Sequence, residues 1–276
     1  MYKEIRFEID GPCAIITLNR PEQLNAWTLS MGDEIRRAFA AAEQDTNVVG
    51  IIFTGAGRAF CSGADLSLLD GVSSTDLNDH AGSAMPGDKT IGTSYRQTYS
   101  YIASIRKPVI AAIHGPCIGM GIPIALFCDL RFATPESFFM TAFAQRGLIA
   151  EWGSSWLLPR MIGNTHAMDM LLSSRRVYAE EAKDMGMINR ICEQSELINE
   201  AKRYIADLAD SCSPYSMAII KRQLHQDWMN SLDVAQNNAM DLMLASFAGE
   251  NLKEGLAAIT EKRAAKFPPL KLDDSD

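Results

Sequence analysis

The stretch "GLIAEWGSSWLLPR", residues 147–160, places a single carboxylate, Glu151, among apolar, small and glycine residues. Trp152 stands beside it, Trp156 follows a helical turn later, and the nearest basic residues are Arg146 and Arg160. Two chemistries suit a lone acid in this setting. At a helix start it interacts well with the backbone dipole. In a water-poor pocket, burial raises its pKa towards neutrality and makes it a general base. Ile149, Ala150 and Trp152 are the neighbours expected to form the apolar wall of such a pocket.

Two glycine-rich loops offer a partner for that base. "TGAGRAFCSGADL" and "HGPCIGMGIPI" each follow an apolar, strand-like run and precede a helical pattern. Gly55-x-Gly57 begins a dinucleotide-binding fingerprint, but Phe60 stands where Gly or Ala is required for close helix–strand packing. Gly115, Gly119 and Gly121 do not fit that spacing either, and the chain has no GKS, GKT or GxSxG. Two glycine-lined helix starts can instead converge free N–H groups on one oxygen, an oxyanion hole suited to a thioester enolate. Both loops can equally be tight turns, and spacing alone leaves the two readings open. Asp65, at a helix start, reads as a cap, and His114, ending an apolar strand, as a satisfied buried histidine.

The bulk numbers limit the function classes. The 276 residues are 47% hydrophobic and 22% charged, which suits a globular chain with a sizeable core. A net charge of −8 argues against a nucleic-acid or anionic-membrane partner. Cysteines 13, 61, 117, 128, 192 and 212 show no CxxC spacing and read as reduced, buried thiols. The four histidines form no HExxH, so no metal is expected. The opening "MYKEIRFEIDGPCAIITL" alternates like a strand, without signal or transit composition. No apolar run approaches the ~20 residues that span a bilayer. The expectation is a cytoplasmic protein.

The elements that must position these residues follow from periodicity. "KEIRFEID" and "CAIITLNR" form a hairpin, and "SMGDEIRRAFAAAEQD" has helical spacing. "VVGIIFTG" and "VIAAIHG" read as strands buried on both faces. Residues 71–94 are rich in Gly, Ser, Asp and Thr and read as a variable loop, and "YRQTYSYIASIR" as a helix. After Arg160 only "GMINRIC" resembles a strand. "SELINEAKRYIADLAD", "PYSMAIIKRQLHQDW", "LDVAQNNAMDLMLASF" and "ENLKEGLAAITEKRAAKF" are amphipathic and read as a helical module separate from an α/β core.

In order along the chain, "LNRPEQLNAW", "GRAFCSGADL", "KPVIAAIHGPCIGMGIPIALFCDLRFAT", "GLIAEWGSSWLLPRMIG", "YAEEAKDMGMINRIC" and "EGLAAITEKRAAKF" resemble segments of the enoyl-CoA hydratase/isomerase family, the crotonase superfamily. The resemblance implies a spiral of ββα turns over residues 1–195 and a helical trimerisation region over 196–276, assembling as a trimer or a dimer of trimers. It implies oxyanion donors at the amides of Ala64 and Met120. Coenzyme A, as part of the substrate and not a separate cofactor, would lie along Gln23, Ala26, Ala64, Asp65, Leu66, Ser67, Leu68, Gly119 and Trp152. Lys262 and Phe267, from this subunit or a neighbour, would stand near the nucleotide end. Ser67 replaces a family lysine, and Glu22 replaces another basic position, which weakens the implied phosphate contacts.

The two glutamates of family hydratases fall on Pro123 and Phe143, neither of which can move a proton. Glu151 instead matches the acid of several family isomerases. The implied activity is a double-bond shift in an enoyl-CoA by one base, Glu151. Hydration or thioester hydrolysis by another group, and a non-catalytic binding role, are the alternatives.

Overall fold

The computed structural model describes residues 2–69 and 85–271, apart from the side chains of Ser67 and Leu69, so most of the expected variable loop lies outside the described residues. Its strands are β1 (Ile5–Asp10), β2 (Cys13–Leu18), β3 (Gly50–Gly55), β4 (Val109–Ile113), β5 (Pro116–Ile118), β6 (Leu130–Ala133), β7 (Phe138–Met140), β8 (Val177–Tyr178) and β9 (Arg190–Ile191). The helices of the first half are α1 (Leu29–Gln44), the single turns α2 (Leu66–Leu69) and α3 (Tyr101–Ser104), and α4 (Gly121–Phe127). Those of the second half are α5 (Ser154–Ser173), α6 (Ala179–Asp184), α7 (Leu197–Ser211), α8 (Pro214–Asp227), α9 (Leu232–Ala248) and α10 (Glu250–Glu261).

The main sheet runs β1-β2-β3-β4-β6-β9 and a smaller one β5-β7-β8. Only the β1–β2 hairpin is antiparallel in the main sheet; the rest is parallel, as crossover helices require. Side chains alternate across the strands and feed two cores. Ile16, Leu18, Ile51, Phe53, Val109 and Ala111 meet α1 through Ile35, Ala38 and Phe39. Cys13, Ile15, Ile52, Ile110 and Ala112 meet α7 through Leu197, Ala201 and Ile205. Both faces are buried, which is why β3 and β4 read as unbroken apolar runs.

Three readings need revision. First, α7 is a layer of the sheet core and not part of a separate module: a Cβ on Gly50 of β3 would meet Ile205 at 2.8 Å. Second, residues 95–106 are not one helix. A 3-10 turn, Thr93–Tyr95, and the single turn α3 replace it. The Ser100 hydroxyl accepts from the Gln97 N–H at 3.1 Å and donates to the Ser94 carbonyl at 2.8 Å, offering the backbone a non-helical alternative. Third, the last helix stops at Glu261. Lys262 turns left-handed at φ +53°, and Arg263 folds back onto Glu254 at 2.6 Å. The short strands β7 and β8 carry too few residues to show a period.

No helix among the described residues is long and apolar enough to cross a membrane. The six cysteines are unpaired and five of them are buried. Burial pushes the Cys61 thiol up to about 11 and Cys128 to about 12, so neither is a ready nucleophile. Among the described residues no cluster of His, Cys, Asp or Glu could hold a metal ion.

Candidate active site

Each glycine loop follows a strand of the main sheet: the first leaves β3, the second leaves β4. Cys61 and Cys117 form a parallel bridge between them, and the Ile118 N–H donates to the Cys61 carbonyl at 2.9 Å. This brings Gly63 and Gly119 face to face. A Cβ on Gly63 would lie 3.4 Å from the Ile118 oxygen, and one on Gly119 would lie 3.5 Å from the Gly63 Cα. Both glycines have positive φ, +104° and +53°, so each loop turns sharply just before Ala64 and Met120.

The turn determines where those two amides point. Ala64 bridges Trp27, but the ladder uses the flanking groups: Trp27 N–H donates to Gly63 and Asp65 N–H donates to Trp27. The Ala64 N–H therefore points the other way. In the second loop Gly119 N–H donates to the Met140 carbonyl, and Met120 sits at the cap position of α4, where its carbonyl accepts from Ile124 N–H while its own N–H precedes the helical ladder. Among the described residues neither the Ala64 nor the Met120 N–H has an acceptor. Both residues line one cavity of about 460 Å³. Two amides left open to a shared cavity are the geometry of an oxyanion hole.

Glu151 lines the same cavity. It lies ahead of α5, whose start receives no side-chain cap; Gly153 at φ +79° occupies the cap position. The Glu151 side chain therefore makes no capping hydrogen bond to this helix. Burial raises the Glu151 carboxyl above its ordinary range. The expected apolar wall is only partly right. Ile149 is 76% exposed, and the apolar lining comes instead from Met120, Ala142, Phe143 and Leu148. Trp152 stands behind the cavity in a left-handed backbone, φ +52°, with its ring edge-on to Tyr99 at 4.7 Å. The Tyr99 phenol is pushed up mainly by burial, with the Cys61 and Glu151 charges adding to it.

The remaining expected positions divide. Gln23, Ala26, Asp65, Leu66 and Gly119 line the cavity. Leu68 packs against the core and is not in the lining, and the Ser67 side chain lies outside the described residues. Asp65 has a structural partner: Arg20 Nη1 donates to Asp65 Oδ2 at 2.9 Å and to the Ala26 carbonyl at 2.6 Å, tying the first glycine loop to the 20–26 segment. His114 bonds the Gly57 carbonyl at 3.0 Å in a different groove. Within this one chain neither Lys262 nor Phe267 lines the cavity; Phe267 packs near Gly255 of α10 in a separate groove. Of the two positions matching family glutamates, buried Phe143 lines the cavity, whereas Pro123 lies inside α4 and does not. Thr141 and Leu148 complete the wall without a sequence signal of their own; Arg146, noted only as the nearest base, also faces the cavity.

Comparison with known proteins agrees with this layout. The family description "Enoyl-CoA hydratase/isomerase" matches residues 8–269. A peroxisomal Δ(3,5)-Δ(2,4)-dienoyl-CoA isomerase of Arabidopsis thaliana is 31% identical over 96% of this chain and 96% of its own. A mitochondrial enoyl-CoA hydratase of Pongo abelii is 30% identical over 92% of this chain and 82% of its own. The crystal structure of an enoyl-CoA hydratase from Bacillus anthracis superposes with a TM-score of 0.85 at 26% identity, covering 96% of this chain and 99% of that one.

Proposed function

This chain belongs to the enoyl-CoA hydratase/isomerase family of enzymes, and we propose that within it the protein shifts a carbon–carbon double bond in an enoyl-CoA thioester, with Glu151 as the sole acid/base. The thioester carbonyl oxygen sits between the Ala64 and Met120 amides. Ionised Glu151 takes a proton from the carbon next to the thioester, and the electron pair moves onto the carbonyl oxygen as an enolate. The two fixed N–H groups stabilise that charge as it develops. The enolate then re-forms the carbonyl, the double bond moves next to it, and the Glu151 carboxyl returns the proton two carbons further out. Atoms and charge balance, and no second carboxylate is required.

One observation carries this reading: among the described residues Glu151 is the only carboxylate in the cavity that is not tied to a cation, while Phe143 stands where a second acid would be needed. A second reading, addition of water, is favoured by relatives at similar identity named as hydratases. Coenzyme A enters as part of the substrate along the Gln23, Ala26 and Ala64–Leu66 side of the cavity. Incubation with 3-enoyl-CoA and 2-enoyl-CoA separates the readings. A shifted double bond supports isomerisation, whereas 3-hydroxyacyl-CoA or free CoA overturns it.

Assembly as a trimer or a dimer of trimers belongs to the same reading. Helix α9 buries no residue in the single chain, and Met240, Leu244 and Phe247 are 53%, 57% and 57% exposed. Apolar surface of this extent marks an interface, and a closed homo-oligomer of the family type covers it.

A further inference from the structure

Resting on the acyl-CoA reading of the cavity, we infer that the acyl group handled there ends in a carboxylate, which the Arg146 guanidinium receives. Among the described residues Arg146 is the only cationic residue lining the cavity. The other charged lining residues are occupied: Asp65 is held by Arg20 at 2.9 Å, and Glu151 is the base. Among the described residues the Arg146 guanidinium has no carboxylate partner. Its hydrogen bond, Nη1 to the Ala142 carbonyl, is 3.5 Å long, at the weak limit of such bonds. Most of its five donors are therefore open to a ligand.

The backbone fixes where this side chain stands. Arg146 ends the 3-10 turn Ala144–Arg146. Its neighbour Gln145 turns the opposite way and anchors the segment by donating to the Ser173 and Ser174 carbonyls at 3.4 and 3.3 Å. Thr141, Ala142, Phe143, Arg146, Leu148 and Glu151 come to the cavity from one segment, and Gln23, Ala26 and Ala64–Leu66, the proposed coenzyme A side, from others. An anion at Arg146 therefore lies on the segment that also carries the base. Arg146 and Glu151 line the same cavity. A planar guanidinium fork matches a carboxylate with two parallel hydrogen bonds. It also offsets the repulsion that a second anion meets on a chain of net charge −8.

The test uses pairs of saturated acyl-CoA thioesters of equal length, ending in methyl or carboxylate, titrated by calorimetry into the wild type, Arg146→Met and Arg146→Lys. Saturated ligands make the result independent of which reaction the enzyme performs; failure of the isomerase reading shows separately, in the products of 3-enoyl-CoA. Melting curves establish that each variant is folded. The wild type is expected to prefer the carboxylate-ended ligand by about 10- to 100-fold, the range for a hydrogen bond to a charged group. That preference should vanish in Arg146→Met and partly return in Arg146→Lys, which keeps the charge without the fork. No preference in the wild type, or an undiminished one in Arg146→Met, overturns the inference. So does an equal loss for both ligands that disappears with pantetheine thioesters, because the guanidinium then holds a coenzyme A phosphate.

Discussion

Gly63 and Gly119 stand so close across the two cavity loops that a Cβ on Gly119 would lie 3.5 Å from the Gly63 Cα. That distance is an ordinary contact, so the case for glycine rests mainly on φ. At +53° Gly119 occupies the left-handed region, where alanine costs about 1–2 kcal/mol. At +104° Gly63 lies beyond it, in territory other residues rarely enter, at about 1–3 kcal/mol. Gly63→Ala should therefore destabilise more than Gly119→Ala. Each should also lower turnover, because the turn aims the following amide. Denaturant titration and steady-state kinetics on both variants check this; a Gly63→Ala enzyme with wild-type turnover would show that the turn does not place Ala64.

The Met120 amide can be tested without confusing it with the Met120 side chain. That side chain is only 7% exposed and belongs to the core, so truncation to alanine would leave a cavity and blur the result. Met120→Leu conserves volume and should retain most activity. Met120→Pro removes the N–H at a φ of −59°, which proline accepts, and should lower turnover by about 10²–10³. A folded proline variant at full turnover would remove Met120 from the hole.

Arg20 holds Asp65 and the Ala26 carbonyl through one nitrogen and reaches Glu4 at 3.4 Å. Arg20→Met leaves two partly buried carboxylates without this partner and should cost about 1–3 kcal/mol. Asp65→Asn keeps the shape and one acceptor, and should change turnover only a few-fold, since Asp65 moves no proton. A loss of 10² or more in Asp65→Asn, on the scale of general acid–base catalysis, would make it a catalytic residue after all.

How much of this was legible beforehand depends on the range of the interactions. The buried strands β3 and β4, helix α1 and the two glycine loops follow from local periodicity and turn chemistry, and they place Ala64 and Met120. Glu151 stood out because it is a lone acid in apolar sequence. Its apolar wall was misread because adjacency is not proximity: Ile149 points to solvent, and Phe143, eight residues earlier, turns in. Arg146 was visible only as a nearby base; its aim into the cavity depends on Gln145 gripping the end of α5. The broken 95–106 segment depended on one serine hydroxyl, and α7 was assigned to the wrong layer because amphipathicity names a buried face but not its partner.

Helices α9 and α10 predict assembly. Leu256 and Ile259 of α10 add 56% and 77% exposed apolar side chains to those of α9. Light scattering at micromolar concentration should give a multiple of the 30.3 kDa chain mass, three or six. Phe247→Glu with Leu244→Glu should shift the population towards single chains, because a buried unpaired charge is costly at an interface. A wild-type mass of one chain overturns the assembly.

Glu151→Gln separates a base from a cap by two readouts that move in opposite directions. Gln keeps size and hydrogen bonding but cannot take the proton, so turnover should fall by about 10²–10⁴, with little change in coenzyme A affinity. Stability should move the other way. Burial raises the Glu151 pKa in the folded state, so its proton is held more tightly folded than unfolded. A raised carboxyl favours the fold at low pH, below its unfolded value, and that contribution is lost as pH rises through the folded value. At neutral pH the wild type therefore bears the cost of an ionised, desolvated carboxylate, and Glu151→Gln does not. The variant should melt at a higher temperature than the wild type at neutral pH, and the gap should close as pH falls below the ordinary glutamate range. The wild-type rate should rise with pH through the raised pKa, because only the ionised carboxylate abstracts the proton. A helix cap predicts the reverse: a loss of about 1 kcal/mol for Gln and near-normal turnover. Melting curves across pH and a kcat profile for both proteins decide between them, and a Gln variant with full turnover and a lowered melting temperature would return Glu151 to a structural role.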